Sequence, residues 1–191
     1  MQMAFFYDQT RCVGCYACVV SCKQWHHIPP GPVRWRRVST MEKGKCPNVS
    51  VRFLSMACCH CENPPCVYAC PVNAITKREK DGIVLVDQGV CLGGQRCGFA
   101  CREACPYDAP QFDVEEDAKM QKCNFCLERL EENKKPMCVE ACMTKALDAG
   151  PLEQLKRSYN QIFEAEGFAY LPGLNPSVLF KPRLHAKVGP K

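Results

Sequence analysis

Cysteine is the residue on which chemistry in this protein must turn: 18 of its 191 residues are cysteines. Sixteen of them fall into four groups. The first is Cys12-x2-Cys15-x2-Cys18-x3-Cys22 and the second Cys58-x2-Cys61-x4-Cys66-x3-Cys70. The third is Cys91-x5-Cys97-x3-Cys101-x3-Cys105 and the fourth Cys123-x2-Cys126-x11-Cys138-x3-Cys142. Disulfides, zinc and iron–sulfur clusters compete for such a set. A [4Fe-4S] cubane needs four thiolates around a compact core. Cys-x2-Cys-x2-Cys wraps one loop around three corners, with peptide N–H groups facing the cluster sulfides. A lone Cys-x2-Cys would favour zinc. Three cysteines close together, a fourth soon after, and Cys-Pro at 70–71 and 105–106 favour clusters instead. Four complete sets imply four [4Fe-4S] clusters.

The fourth corner must come from elsewhere in the sequence. In bacterial two-cluster ferredoxins the cysteine before proline supplies it, and it ligates the other cluster. Three of the groups end alike here: Cys70-Pro71-Val72-Asn73-Ala74, Cys105-Pro106-Tyr107-Asp108-Ala109 and Cys142-Met143-Thr144-Lys145-Ala146. The recurring Cys-x-x-x-Ala is the trace of a duplicated unit. Cys46 and Cys59 remain over. Cys59, between Cys58 and Cys61, reads as a spectator, and Cys46, in Lys-Gly-Lys-Cys-Pro, as a free thiol.

Composition narrows the alternatives. Met1 to Asp8 has neither the basic nor the apolar region of a secretory signal. No run approaches the ~18 apolar residues of a membrane span. The expected setting is a reducing compartment, where thiols stay free for metal. The formal net charge of +5 counts cysteines as neutral. Four cubanes on thiolates would bring the loaded protein to about −3, so the basic balance does not indicate nucleic acid. Arg34-Trp35-Arg36-Arg37, the one dense basic stretch, reads as a solvated turn or a subunit contact. His26, His27, His60 and His185 are scattered, and no nucleophile–base arrangement or phosphate-binding loop suggests an active site in this protein. For Lys23, Lys122 and Arg102, beside ligands, a role in raising a cluster's potential competes with surface solubility.

Short elements must present these thiols. Phe5–Asp8 and Ile83–Val86 read as strands, with Thr76–Glu79 as the other arm of a hairpin through Asp81-Gly82. Short helices suit the residues after Cys15, around Cys66 and around Cys138, each ending at the next cysteine. Gln111–Val114 and Lys119–Lys122 could pair. Pro151–Glu166 reads as an amphipathic helix with Leu152, Leu155, Tyr159, Ile162 and Phe163 on one face. Pro172–Lys191 reads as an extended tail. The expected fold is α+β: duplicated ferredoxin-like dicluster modules over 1–150, with a C-terminal helix and irregular tail over 151–191.

Cys12-Val13-Gly14-Cys15-Tyr16-Ala17-Cys18, Cys61-Glu62-Asn63-Pro64-Pro65-Cys66, Cys105-Pro106-Tyr107-Asp108-Ala109-Pro110-Gln111-Phe112 and Lys122-Cys123-Asn124-Phe125-Cys126 carry a resemblance. From about Phe5 to Leu147 the sequence resembles the four-cluster iron–sulfur subunits of the dimethyl sulfoxide reductase superfamily of molybdopterin oxidoreductases. The resemblance implies that Cys12, Cys15 and Cys18 share a cluster with Cys142. It likewise joins Cys58, Cys61 and Cys66 to Cys105, Cys91, Cys97 and Cys101 to Cys70, and Cys123, Cys126 and Cys138 to Cys22. The third group departs from the family's Cys-x2-Cys-x2-Cys, with Gly94 at the usual second position. Either its loop has stretched, or Gly94 marks a lost ligand that a later cysteine replaces. Met143 also stands where the family commonly has proline.

The resemblance further implies an electron-transfer subunit of anaerobic metabolism. It would wire a large molybdopterin- or tungstopterin-containing catalytic subunit to a membrane anchor subunit or a soluble redox carrier. The expected location is the prokaryotic cytoplasm, membrane-associated through partners or exported with a signal-bearing partner. A polyferredoxin subunit of a hydrogenase or of a tungsten aldehyde oxidoreductase fits the same cysteines, and a zinc-stapled interaction protein is the alternative of another class.

Overall fold

The structure, a computed structural model, describes residues 1–159 and 162–183. Its centre is β1 (Met3–Asp8), whose run Met-Ala-Phe-Phe-Tyr-Asp is buried along its whole length. An apolar run without alternation suits a strand covered on both faces. Strand β1 lies between β6 (Leu147–Pro151), antiparallel, and β7 (Val178–Lys181), parallel. Phe5 pairs with Ala149 on one side and Val178 on the other. The two-residue period of a strand then divides its side chains. Met3, Phe5 and Tyr7 enter the cysteine-rich core, and Ala4 and Phe6 pack under α6 (Leu152–Ser158) with Leu155 and Leu179.

The cysteine groups sit on short helices. These are α1 (Ala17–Trp25), α2 (Pro65–Tyr68), α3 (Ala100–Glu103), α4 (Leu127–Glu131) and α5 (Met137–Glu140). Helix α1 packs on α5 and α2 on α3, so elements of the first and fourth groups meet, as do those of the second and third. The α+β expectation holds: small sheets and short helices dominate.

Several local expectations shift. The first helix does not stop at Cys22 but runs to Trp25. The hairpin is β4 (Ile75–Lys77) against β5 (Val84–Val86), a residue or more from the expected arms. Gln111–Val114 and Lys119–Lys122 meet only in one bridge, Gln111 with Gln121. A second hairpin, β2 (Arg37–Lys43) with β3 (Ser50–Met56), is added, Arg37 facing Met56. The C-terminal helix ends at Ser158, with Tyr159 extended. Ser158, Tyr159 and Asn160 are indifferent helix formers, and Tyr159 instead stacks on Phe6 at 3.6 Å between ring centres. Of the expected helix, Asn160 and Gln161 lie outside the described residues, as do 184–191 of the expected tail; the tail's Val178–Lys181 is a sheet strand. The basic stretch is not uniformly solvated: Arg36 is 2% exposed.

Tyr159 donates its hydroxyl hydrogen to Asp148 Oδ2 at 2.8 Å, and Lys135 pairs with the same carboxylate. Burial, then the bond to Asp148, raises the phenol to about 12. A raised acid contributes stability that is complete below its unfolded value near 10 and is lost as pH climbs toward 12. At neutral pH, Tyr159→Phe should cost about 1 kcal/mol, allowing for solvent screening at this partly exposed site. The gap from wild type should narrow above pH ~10 in urea unfolding of the loaded protein. A gap that stays constant to pH ~11 would show that the hydroxyl is not responsible.

Candidate iron–sulfur centres

Each cysteine loop is shaped by backbone in the left-handed region. The residue before the second cysteine has positive φ in three groups: Gly14 (67°), His60 (44°) and Phe125 (64°). That bend turns successive N–H groups inward, an arrangement that favours anions. At Gly14 an added Cβ would lie 2.3 Å from the Phe53 ring, so a larger residue there is strained by its φ and requires the ring to move. In the other loops N–H groups meet sulfur directly: His60 N to Cys58 Sγ at 3.5 Å and Phe125 N to Cys123 Sγ at 3.4 Å.

The Cys-x-x-x-Ala repeat has a structural cause. The third residue after each cysteine is left-handed: Asn73 (52°), Asp108 (48°) and Lys145 (53°). The backbone thereby doubles back, and the alanine N–H reaches the sulfur four residues earlier. Ala74 N lies 3.3 Å from Cys70 Sγ and Ala146 N 3.2 Å from Cys142 Sγ, and the Ala109 backbone acts on Cys105 from the corresponding place. All three alanines are buried, which leaves no room for a larger side chain beside the thiol.

Tertiary packing gathers the thiols into four sets. Cys12, Cys15, Cys18 and Cys142 line one small cavity. Cys58, Cys61, Cys66 and Cys105 line a second, and Cys70, Cys91, Cys97 and Cys101 a third. Cys22, Cys123, Cys126 and Cys138 lie close enough to act on one another's charge. Cys97 belongs to the third cavity although the loop before it is long. A side chain at Gly94 would meet the Phe99 ring at 2.1 Å, so that position has no room for a thiol unless the ring moves. Cys59 is buried and also lines the second cavity, whereas Cys46 is exposed between β2 and β3.

Electrostatics fits these sets to a cationic core. Burial, reinforced by neighbouring thiolates, pushes Cys22, Cys61, Cys66, Cys101 and Cys126 up to about 12. Four thiolates sharing an apolar cavity repel, and their charge needs a compensating metal core. Clustered sulfur donors, inward N–H groups and compact cavities match a [4Fe-4S] cubane.

Other side chains frame the sets. Lys122 is 2% exposed, which removes the solubility role; its Nζ bonds Val84 O and, at 3.0 Å, Cys123 O beside the second cavity. Lys23 instead reaches Gly31 O and Val33 O, and Arg102 lies over the Phe99 ring. His60 accepts the Val84 N–H at Nδ1 (3.0 Å), and burial, then the Lys122 charge, keeps its imidazole neutral. Its proton is therefore on Nε2. Sequence reasoning passed over His26, whose Nε2 lies 3.2 Å from Cys126 Sγ. Only its place one helical turn after Cys22 hinted at this.

Comparison with known proteins agrees with this chemistry. The family model described as a 4Fe-4S dicluster domain matches residues 49–152. The sequence is 37% identical over 194 residues to one of the polypeptides of anaerobic dimethyl sulfoxide reductase from Escherichia coli (strain K12), covering 97% of the present protein and 91% of the relative. It is 38% identical to the formate dehydrogenase iron-sulfur subunit of Wolinella succinogenes, covering 81% and 84%. Against one of the tetrathionate reductase subunits of Salmonella typhimurium it is 41% identical, covering 78% and 58%.

Proposed function

Since this protein belongs to the 4Fe-4S dicluster family, among the iron–sulfur subunits of molybdopterin oxidoreductases, we propose that it carries four [4Fe-4S] clusters and conducts electrons to or from a large pterin-containing subunit. The observation that carries this reading is the convergence of three thiols of one group and one of another on each set. Cys142 completes the first group's set, Cys105 the second's, Cys70 the third's and Cys22 the fourth's.

When bound, each cluster supplies a one-electron redox centre. The protein's own residues do the rest. The cysteines hold the centres at set positions. N–H groups of Ala74, Ala146, His60 and Phe125 offset thiolate charge. Phe5 and Phe125, stacked at 4.3 Å, are buried beside the thiols and exclude water. Among the described residues no helix is long and apolar enough to cross a membrane. The second redox partner is a membrane anchor subunit or a soluble carrier, and the pterin metal is molybdenum or tungsten.

The test is anaerobic isolation of the native complex. The expected result is brown material absorbing broadly near about 400 nm, about sixteen irons per copy of this protein, and a copurifying large subunit with pterin. Far less iron, or a large subunit free of pterin, would sink the reading.

A further inference from the structure

Arg36 is the least expected charge in the molecule. It precedes β2 inside a stretch that looks solvent-facing in sequence, yet it is 2% exposed. Its Nη1 donates to two neutral oxygens, Ser55 O at 3.4 Å and Ser55 Oγ at 3.3 Å. Its Cζ lies 4.6 Å from the Phe5 ring centre. Its Nε and Nη2 are buried with no hydrogen-bond partner among the described residues. A buried guanidinium so poorly satisfied is strongly unfavourable by itself.

The surroundings supply what is missing. Ser55 Oγ lies 3.5 Å from Cys18 Sγ, so one serine joins the cation to a ligand of the first set. Cys22, a ligand of the fourth, also lies close enough to feel the Arg36 charge and backbone. Cys138, Cys18, Cys123 and Cys22 lie close enough for their charge to act on the guanidinium, and an arginine stays charged on burial. Arg36 also lines a small cavity with Cys58 and Cys59, on the side of the second set.

We propose that Arg36 is the internal counter-cation of the iron–sulfur assembly, lodged between the set of Cys12, Cys15, Cys18 and Cys142 and the set of Cys22, Cys123, Cys126 and Cys138. This rests on the four-set reading above. A fixed, buried positive charge favours the more negative redox state of any centre beside it, so it raises the potentials of both neighbouring centres. Its free N–H edges are donors for cluster or ligand sulfur. Arginine suits the place because its charge persists on burial and its planar fork stacks on Phe5.

The experiment compares wild type, Arg36→Met and Arg36→Lys in the anaerobically purified complex. It reads iron per copy and the potentials from redox titration followed by paramagnetic resonance. In Arg36→Met, signals of the first and fourth sets are expected to move to lower potential. The signal of Cys70, Cys91, Cys97 and Cys101 should hold, because Cys101 has Cys97, Cys91 and Cys70 as its charged neighbours. Arg36→Lys, which keeps the charge, should move the signals less and load more iron. Full iron with unmoved potentials in Arg36→Met overturns the inference. So does equal iron loss in both variants, which would make shape rather than charge the requirement. A wild type poor in iron would instead fail the four-cluster reading.

Discussion

Stripping the iron with a strong chelator under anaerobic conditions is expected to abolish the fold. Helices α2, α3 and α5 have four residues each and α4 five, too short to persist alone. Strands β4 and β5 have three residues each. The main core mixes Phe5, Tyr7 and Phe125 with Cys18, Cys58, Cys61, Cys123, Cys138 and Cys142. A structural metal site contributes on the order of 10 kcal/mol at neutral pH, against a net stability of about 5–15 kcal/mol for a whole domain. Losing several such sites exceeds what the remaining packing supplies. Far-UV circular dichroism should fall and the cooperative urea transition should disappear. An iron-free protein that keeps both would show that polypeptide packing alone suffices.

Replacing Cys15 by alanine should have the second largest effect, and a local one. Cys15 is exposed, at the mouth of the cavity it shares with Cys12, Cys18 and Cys142. Its loss opens one set without touching the Phe5–Phe125 stack or the cavity of Cys70, Cys91, Cys97 and Cys101. The variant should lose about a quarter of the iron, roughly four atoms of about sixteen, and keep a cooperative fold. Electron delivery across the complex should drop toward background. The check pairs iron analysis with the rate at which an artificial donor, offered through this protein, reduces the large subunit. Iron content equal to wild type would contradict the ligand assignment.

Much of the architecture could be read from local pattern. β1 announces itself as an unbroken apolar run, and Asp81-Gly82 marks the turn before β5. The β2–β3 hairpin escaped because polar residues occupy its buried positions. Arg52 and Ser55 are buried as well as Leu54, on both faces of the strand, which hides the alternation. Arg52 is held there by Glu166 and Arg183 O, partners more than a hundred residues away. Arg36 escaped because a buried cation looks like any surface cation until its neighbours are known, and the same ambiguity left the role of Lys122 open between tuning a cluster and solubility.

By itself the sequence determined the donor chemistry. Three thiols of a loop lie within a few residues, so spacing alone limits what they can hold, and the Cys-x-x-x-Ala repeat foreshadows a turn whose bonds are local. Tertiary structure decided what depends on distant segments meeting. It brings Cys142 to Cys12, sets β7 beside β1, closes Gly94 with the Phe99 ring and sinks Arg36 among thiols. Contacts across so many residues depend on the packing of the whole core, and no short window of residues encodes them.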